Sequence, residues 1–280
     1  MVDRIICAFF RMLAENGLSV LSRLCPGFYE LDCRGRKCCW SRNTALGRMV
    51  ASPQRTCKLS NEEGMKLMTN RLLTLIKNKF PLTSLDIGEM KHLKANGMKF
   101  NVEAYHAIGL GHVSVMQAIG FFGLMKMDTL IINPSEVDLP LYSYDRIFAA
   151  GNDTLIVELY DTMIAPSDFS RLETVKSKYI SLSERDPGEH WYDSIKLSES
   201  ISKKGKKADT PQMDELTLEH FKAYLNVSAD TVKNSNEKQR KASYYVNGLL
   251  VNGGPSTDVF KKALGMDKTT TLFGPAKNFV

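Results

Sequence analysis

Cysteine is missing from most of this chain. All six residues (Cys7, Cys25, Cys33, Cys38, Cys39, Cys57) fall in the first 57 of 280 positions. Everything downstream is therefore without a thiolate nucleophile or a cysteine-held iron–sulfur cluster of its own. Upstream, "CRGRKCC" contains no C-x-x-C pair, and no histidine lies nearby to complete a usual zinc set. No apolar run approaches the roughly 18 residues of a membrane span, "AIGFFGLM" being far too short. A formal charge of +6 is too mild for a nucleic-acid footprint but suits a small acidic protein partner. The P-loop, the G-x-G-x-x-G turn after a strand, H-E-x-x-H and G-x-S-x-G are all absent. The five histidines (His92, His106, His112, His190, His220) have no ligand spacing and read as surface or satisfied core residues.

What is present is ordinary globular composition, 43% apolar and 24% charged, in a length that suits one large domain or two small ones. A seam crosses the chain near "NEEGMKLMTN": eight of thirteen arginines precede residue 65, and lysine dominates after it. We divide the sequence there into a Cys/Arg-rich extension, 1–64, and a body, 65–280. Asp3, Arg4 and Arg11 interrupt the one stretch that resembles a signal-peptide core. Three readings of the extension stand: a plastid-type transit segment, a small appended region, or an over-extended start with the true one at Met65. The last is preferred and places the protein in a bacterial cytoplasm; the first would place it in a plastid stroma.

Along the body, "KLMTNRLLTLIKNK" (66–79) has the apolar spacing of an amphipathic helix. "MKFNVEAYHAIG", "HVSVMQAIGFF" and "MDTLIINP" read as strands separated by glycines. "LYSYDRIFAA" and "TLIVELYD" flank a Gly151-Asn152-Asp153 turn and read as a hairpin. Helical spacing returns from Ser167, and "SKKGKKADTPQ" (202–212) reads as a solvated basic loop. Two longer helices follow, "MDELTLEHFKAYLNVSADTV" and "NSNEKQRKASYYVNGLLV". A last short helix is expected to be capped by Ser256 or Thr257 and closed by Gly265. About five strands in a meander, preceded and followed by helices, predict an α+β domain with a mostly antiparallel sheet.

Two features stand above this background. In the first strand of the hairpin, Asp145 shares a face with Leu141, Ser143 and Ile147, while Tyr142, Tyr144, Arg146 and Phe148 take the other. Either the strand is an edge with Asp145 in water, or the carboxyl sits in a pocket where burial lifts its pKa toward neutrality. The second is the break "YYVNGLLVNGGPSTDVF", where Asn252 and Asp258 would project into a cleft above the sheet. Their plainer roles are a helix C-cap and a first-turn carboxylate facing the helix dipole.

These segments, in this order, resemble the ferredoxin-dependent bilin reductases over roughly residues 97–270. The resemblance rests on "DLPLYSYDRIFAAGNDTLIVELYD", with "MDTLIINPSEV" before it, "ERDPGEHWYDS" after it, and "KQRKASYYVNGLLVNGGPSTDVFKKALG" at the end. It implies a three-layer α/β/α sandwich with a linear tetrapyrrole, biliverdin or a related bilin, between the sheet and the C-terminal helices. No tightly bound cofactor or metal is implied. Electrons would come from reduced ferredoxin (or flavodoxin), and the protein would act as a monomer. Asp145 falls on the family's central aspartate, which protonates or hydrogen-bonds the bilin near its pyrrole nitrogens and is the catalytic candidate; Asn252 falls near a position that faces the bilin, and Asp258, from the same break, is a further substrate-binding candidate. Arg146 and Lys241 are candidates for its propionates, and Lys203, Lys204, Lys206 and Lys207 for docking acidic ferredoxin. Some members carry a histidine on the strand before the Leu-Pro. Here that strand has none, and Asn133 lies closest, which disfavours the chemistry that yields phycocyanobilin. Two rival readings are a non-catalytic tetrapyrrole-binding protein of the same fold, with Asp145 as an anchor, and an α+β interaction module without a ligand.

Overall fold

Eight strands form one antiparallel sheet in the computed structural model, which describes residues 60–95 and 97–273. The extension up to Leu59 lies outside the described residues, and the unit from Ser60 onward holds every element below. Five strands follow the expected meander: β3 (Met98–Ala107), β4 (Gly111–Gly120), β5 (Met125–Pro134), β6 (Leu141–Ala149) and β7 (Asn152–Tyr160). Three more were not legible. β1 (Leu82–Leu85) and β2 (His92–Ala95) are four residues each, too short to show a period. They share the outer edge of β3, one at each end. β8 (Ile201–Lys206) occupies the stretch read as a basic loop. Its lysines disguise a strand, because Lys203 points inward and is buried, donating to Leu182 O and to the Glu184 carboxylate.

The β6–β7 hairpin turns on Ala150 and Gly151, at φ of 50° and 75°. Two left-handed residues match the right-handed strand twist, as in a type I′ turn. Ala149 pairs with Asn152, so Asn152 and Asp153 already belong to β7 and not to the expected turn.

Among the described residues, six α-helices cover the sheet: α1 (Ser60–Lys77), α2 (Ser170–Lys178), α3 (Thr210–Leu225), α4 (Ser235–Asn252), α5 (Pro255–Leu264) and α6 (Met266–Phe273). Asn234 caps α4 by accepting from Glu237 N–H at 3.2 Å. The expected caps of α5, Ser256 and Thr257, lie instead inside its first turn, because Gly254 takes the cap and Pro255 the first helical position.

The layers separate cleanly by strand face. Tyr142 and Tyr144 point with Leu130, Leu155 and Val157 into an apolar core roofed by Leu72 and Ile76 of α1, Leu172 of α2 and Phe221 and Tyr224 of α3. The Tyr142 ring stands 4.6 Å from Tyr224 and 5.2 Å from Phe221. The opposite face lies under the C-terminal helices: Phe260 of α5 packs on Phe100 of β3 at 4.8 Å, and Tyr245 of α4 on Tyr160 of β7 at 4.1 Å. This is the three-layer α/β/α arrangement.

Candidate functional site

β6 is flanked by β5 and β7, so the edge-strand alternative for Asp145 falls. The residue is half-buried on the face beneath α4. Its cross-strand partner on β5 is Thr129, whose hydroxyl donates to Asp145 Oδ1 at 2.5 Å. On β7 it faces Ile156, and the next pair on that face is Ser143 with Glu158. Diagonal neighbours on adjacent strands lie within reach of one another, so two carboxylates share this patch of sheet. β8 adds Ser202, which holds Arg185: Arg185 Nη1 donates to Ser202 Oγ at 2.7 Å.

Burial is the main force on the Asp145 carboxyl and pushes it up to about 6. Glu158 pushes the same way, while hydrogen bonds from Thr129 and Ser143 and the Arg185 charge hold it down. Part of its surface is exposed, yet the depth of surrounding protein governs the proton. A carboxyl titrating near neutrality can give up and regain a proton under cellular conditions.

Beside Asp145 the same face carries a cluster of rings. Tyr160, Tyr192 and Tyr245 meet at 5.5 Å (160–192) and 6.3 Å (192–245), and His190 stacks on Tyr192 at 4.8 Å. Burial raises the pKa of all three tyrosines, so they stand as neutral donors. Trp191 fixes the cluster to the helices. Its Nε1 donates to Gly253 O at 3.0 Å, and its ring fills the space a side chain at Gly248 would need.

The other site candidates scatter. Arg146 is on the far face of the sheet, buried against α3; Nε and Nη2 donate to Asp153 at 2.5 and 2.7 Å. Adjacent residues on a strand point to opposite faces, so it cannot share a ligand with Asp145. That corrects its assignment as a propionate partner. Asn252 is the last residue of α4 and is exposed, with the left-handed Gly253 next to it. Asp258 is half-buried in the first turn of α5, 3.9 Å from Lys261, and packs against Gly253. The Lys241 ammonium is taken up by Met163 O. Asn133 is on the Asp145 face, across from His112 on β4. Sequence reasoning missed Thr129, Glu158 and Arg185. The first two sit at register positions a pairing of the strands would have exposed; the third comes from an irregular segment with no local signal.

Among the described residues, no cluster of His, Cys, Asp and Glu is composed to hold a metal ion, and no helix is long and apolar enough to cross a membrane. No family model matches the sequence, and no curated protein does. The structure is similar to a solved one, tomato phytochromobilin synthase in complex with biliverdin. The TM-score is 0.59 at 12% identity, over 75% of this chain and 81% of that one. The likeness is one of fold: a large antiparallel sheet between two layers of helices.

Proposed function

We propose that this protein binds a linear tetrapyrrole of the biliverdin class on the Asp145 face, beneath α4, and reduces it with electrons from ferredoxin. The observation that carries the reading is Asp145 itself, a central-strand carboxyl lifted to about 6 on the face that the C-terminal helices cover. Saturating one double bond consumes two electrons and two protons, so a one-electron donor acts twice. Thr129 and Ser143 orient the Asp145 carboxyl, and its proton goes to the ring system as negative charge accumulates there. The Arg185 charge acts on both carboxylates and is suited to a propionate. Lys204, Lys206 and Lys207 are exposed and offer an acidic ferredoxin a positive surface. The likeness to a biliverdin-bound fold supports this reading.

The test is an absorption spectrum of the full chain with biliverdin, before and after reduced ferredoxin. A bound bilin whose bands shift to shorter wavelength only with the donor is expected. Asp145→Asn keeps the binding spectrum and stalls turnover; full activity in that variant refutes the proton role. A second reading, a bilin carrier without turnover, draws on the scatter of Arg146, Asn252 and Lys241 away from Asp145. It calls for a coloured complex that ignores the donor.

A further inference from the structure

On the far side of the sheet from Asp145, a cavity of about 360 Å³ lies between β5–β7 and helices α1 and α3, at the end where β4–β5 and β6–β7 turn. Its floor and walls are largely apolar, with Met68, Leu124, Tyr144 and Phe148 among them. Three polar atoms in its lining residues have no hydrogen-bond partner: Lys126 Nζ, Arg146 Nη1 and Tyr144 OH. All three side chains are more than nine-tenths buried, at 7%, 2% and 0% exposure. A buried polar group without a partner is costly, and native structures carry few. Three around one cavity in the size range of small-molecule sites mark a place shaped for a ligand.

The donors define what that ligand is. Arg146 spends Nε and Nη2 on Asp153, with Asp214 at 3.4 Å, and Thr210 donates to the same Asp153. Those acids answer the guanidinium charge and leave Nη1 over. The Lys126 ammonium has no ion pair among the described residues. Asp128 projects on the same face two residues along, but burial pushes its carboxyl up to about 7, so it does not fully offset that charge. One uncompensated cation beside two further donors suits a single negative charge with two acceptor oxygens. The Phe148 ring, 5.4 Å from the Arg146 guanidinium, and the Tyr144 ring supply flat apolar surface around them. We propose that this cavity is a binding site for a small organic carboxylate with a flat apolar body, separate from the Asp145 site and with its donors on the opposite face of the sheet. The assignment does not depend on the bilin reading, because Lys126, Tyr144 and Arg146, which supply its three free donors, all project from the face opposite Asp145.

The experiment is calorimetric titration of the full chain with 2-naphthoate, and with 2-naphthamide as its uncharged counterpart. One saturable site for naphthoate is expected, with the amide weaker by at least about tenfold. Lys126→Met removes a buried unpaired cation and should not harm the fold; Tyr144→Phe preserves the ring packing. A loss of about tenfold in the first variant or about threefold in the second supports the site. Absence of saturable naphthoate binding overturns it, as does equal binding of the amide, or unchanged affinity in both variants.

Discussion

Asp128 is fully buried on β5, and neither carboxylate oxygen has a hydrogen bond of normal geometry. Desolvation is the main force raising its pKa from 3.8 to about 7; Asp145 through the sheet adds to the rise, while Thr69 and Arg146 oppose it. The folded state therefore holds this proton more tightly than the unfolded chain does. Stability from it is complete below about pH 4 and is lost as pH rises through 7, because unfolding then releases a charge into water. Three pKa steps correspond to at most about 4 kcal/mol. Asp128→Asn keeps the shape and removes the charge. In urea titrations at pH 5 and pH 8, the wild type should lose stability between the two, and the variant should exceed it at pH 8 by about 2–4 kcal/mol. Equal pH dependence in both proteins, or a variant weaker than wild type at pH 8, refutes the burial argument.

Four further outcomes are expected. If Asp145 delivers the proton, kcat/KM for bilin reduction falls about tenfold per pH unit above 6, since only the protonated acid serves, and a flat profile to pH 8 would contradict it. Ala150→Gly relieves a left-handed alanine and should raise stability by about 1 kcal/mol in thermal melts. Gly248→Ala drives a methyl into the Trp191 ring; a loss of about 1–3 kcal/mol, with a shifted tryptophan emission, is the expected result. Reversing Lys204, Lys206 and Lys207 to glutamate should slow ferredoxin association at low salt while leaving bilin binding intact, measured by stopped flow.

The sheet was legible where strands are long and alternate, as in β3 to β7, and the fold class followed from element order. It was not legible where a strand is only four residues long or where charge masks the pattern. Lys203 looks like its neighbours in sequence, and only the partner strand shows that its stem crosses into the core. For the site, Asp145 stood out because a carboxylate interrupts an apolar row. Glu158 did not, because reading it as a companion needs the register between β6 and β7. Arg146 was misplaced for an avoidable reason: alternation alone puts it on the other face. Asn252 and Asp258 depend on how two helices break over Gly253, whose carbonyl is held by Trp191 from 62 residues away, a contact that no local pattern encodes.

The last strand of the sheet has one more consequence. Open sheet edges invite pairing with another chain, and proteins often guard them with lysines. Here the guarding is done by other means: Lys204 N–H donates to Ser183 O, Lys206 N–H to the Asp209 carboxylate, and Ser202 O accepts from Arg185 N–H. Three outward backbone groups of β8 are thus paired within the chain. Those contacts do not involve the exposed lysine side chains, so exchanging these lysines should leave the protein as soluble and unassociated as before. A partner lost on charge reversal would then be lost to electrostatics, not to aggregation.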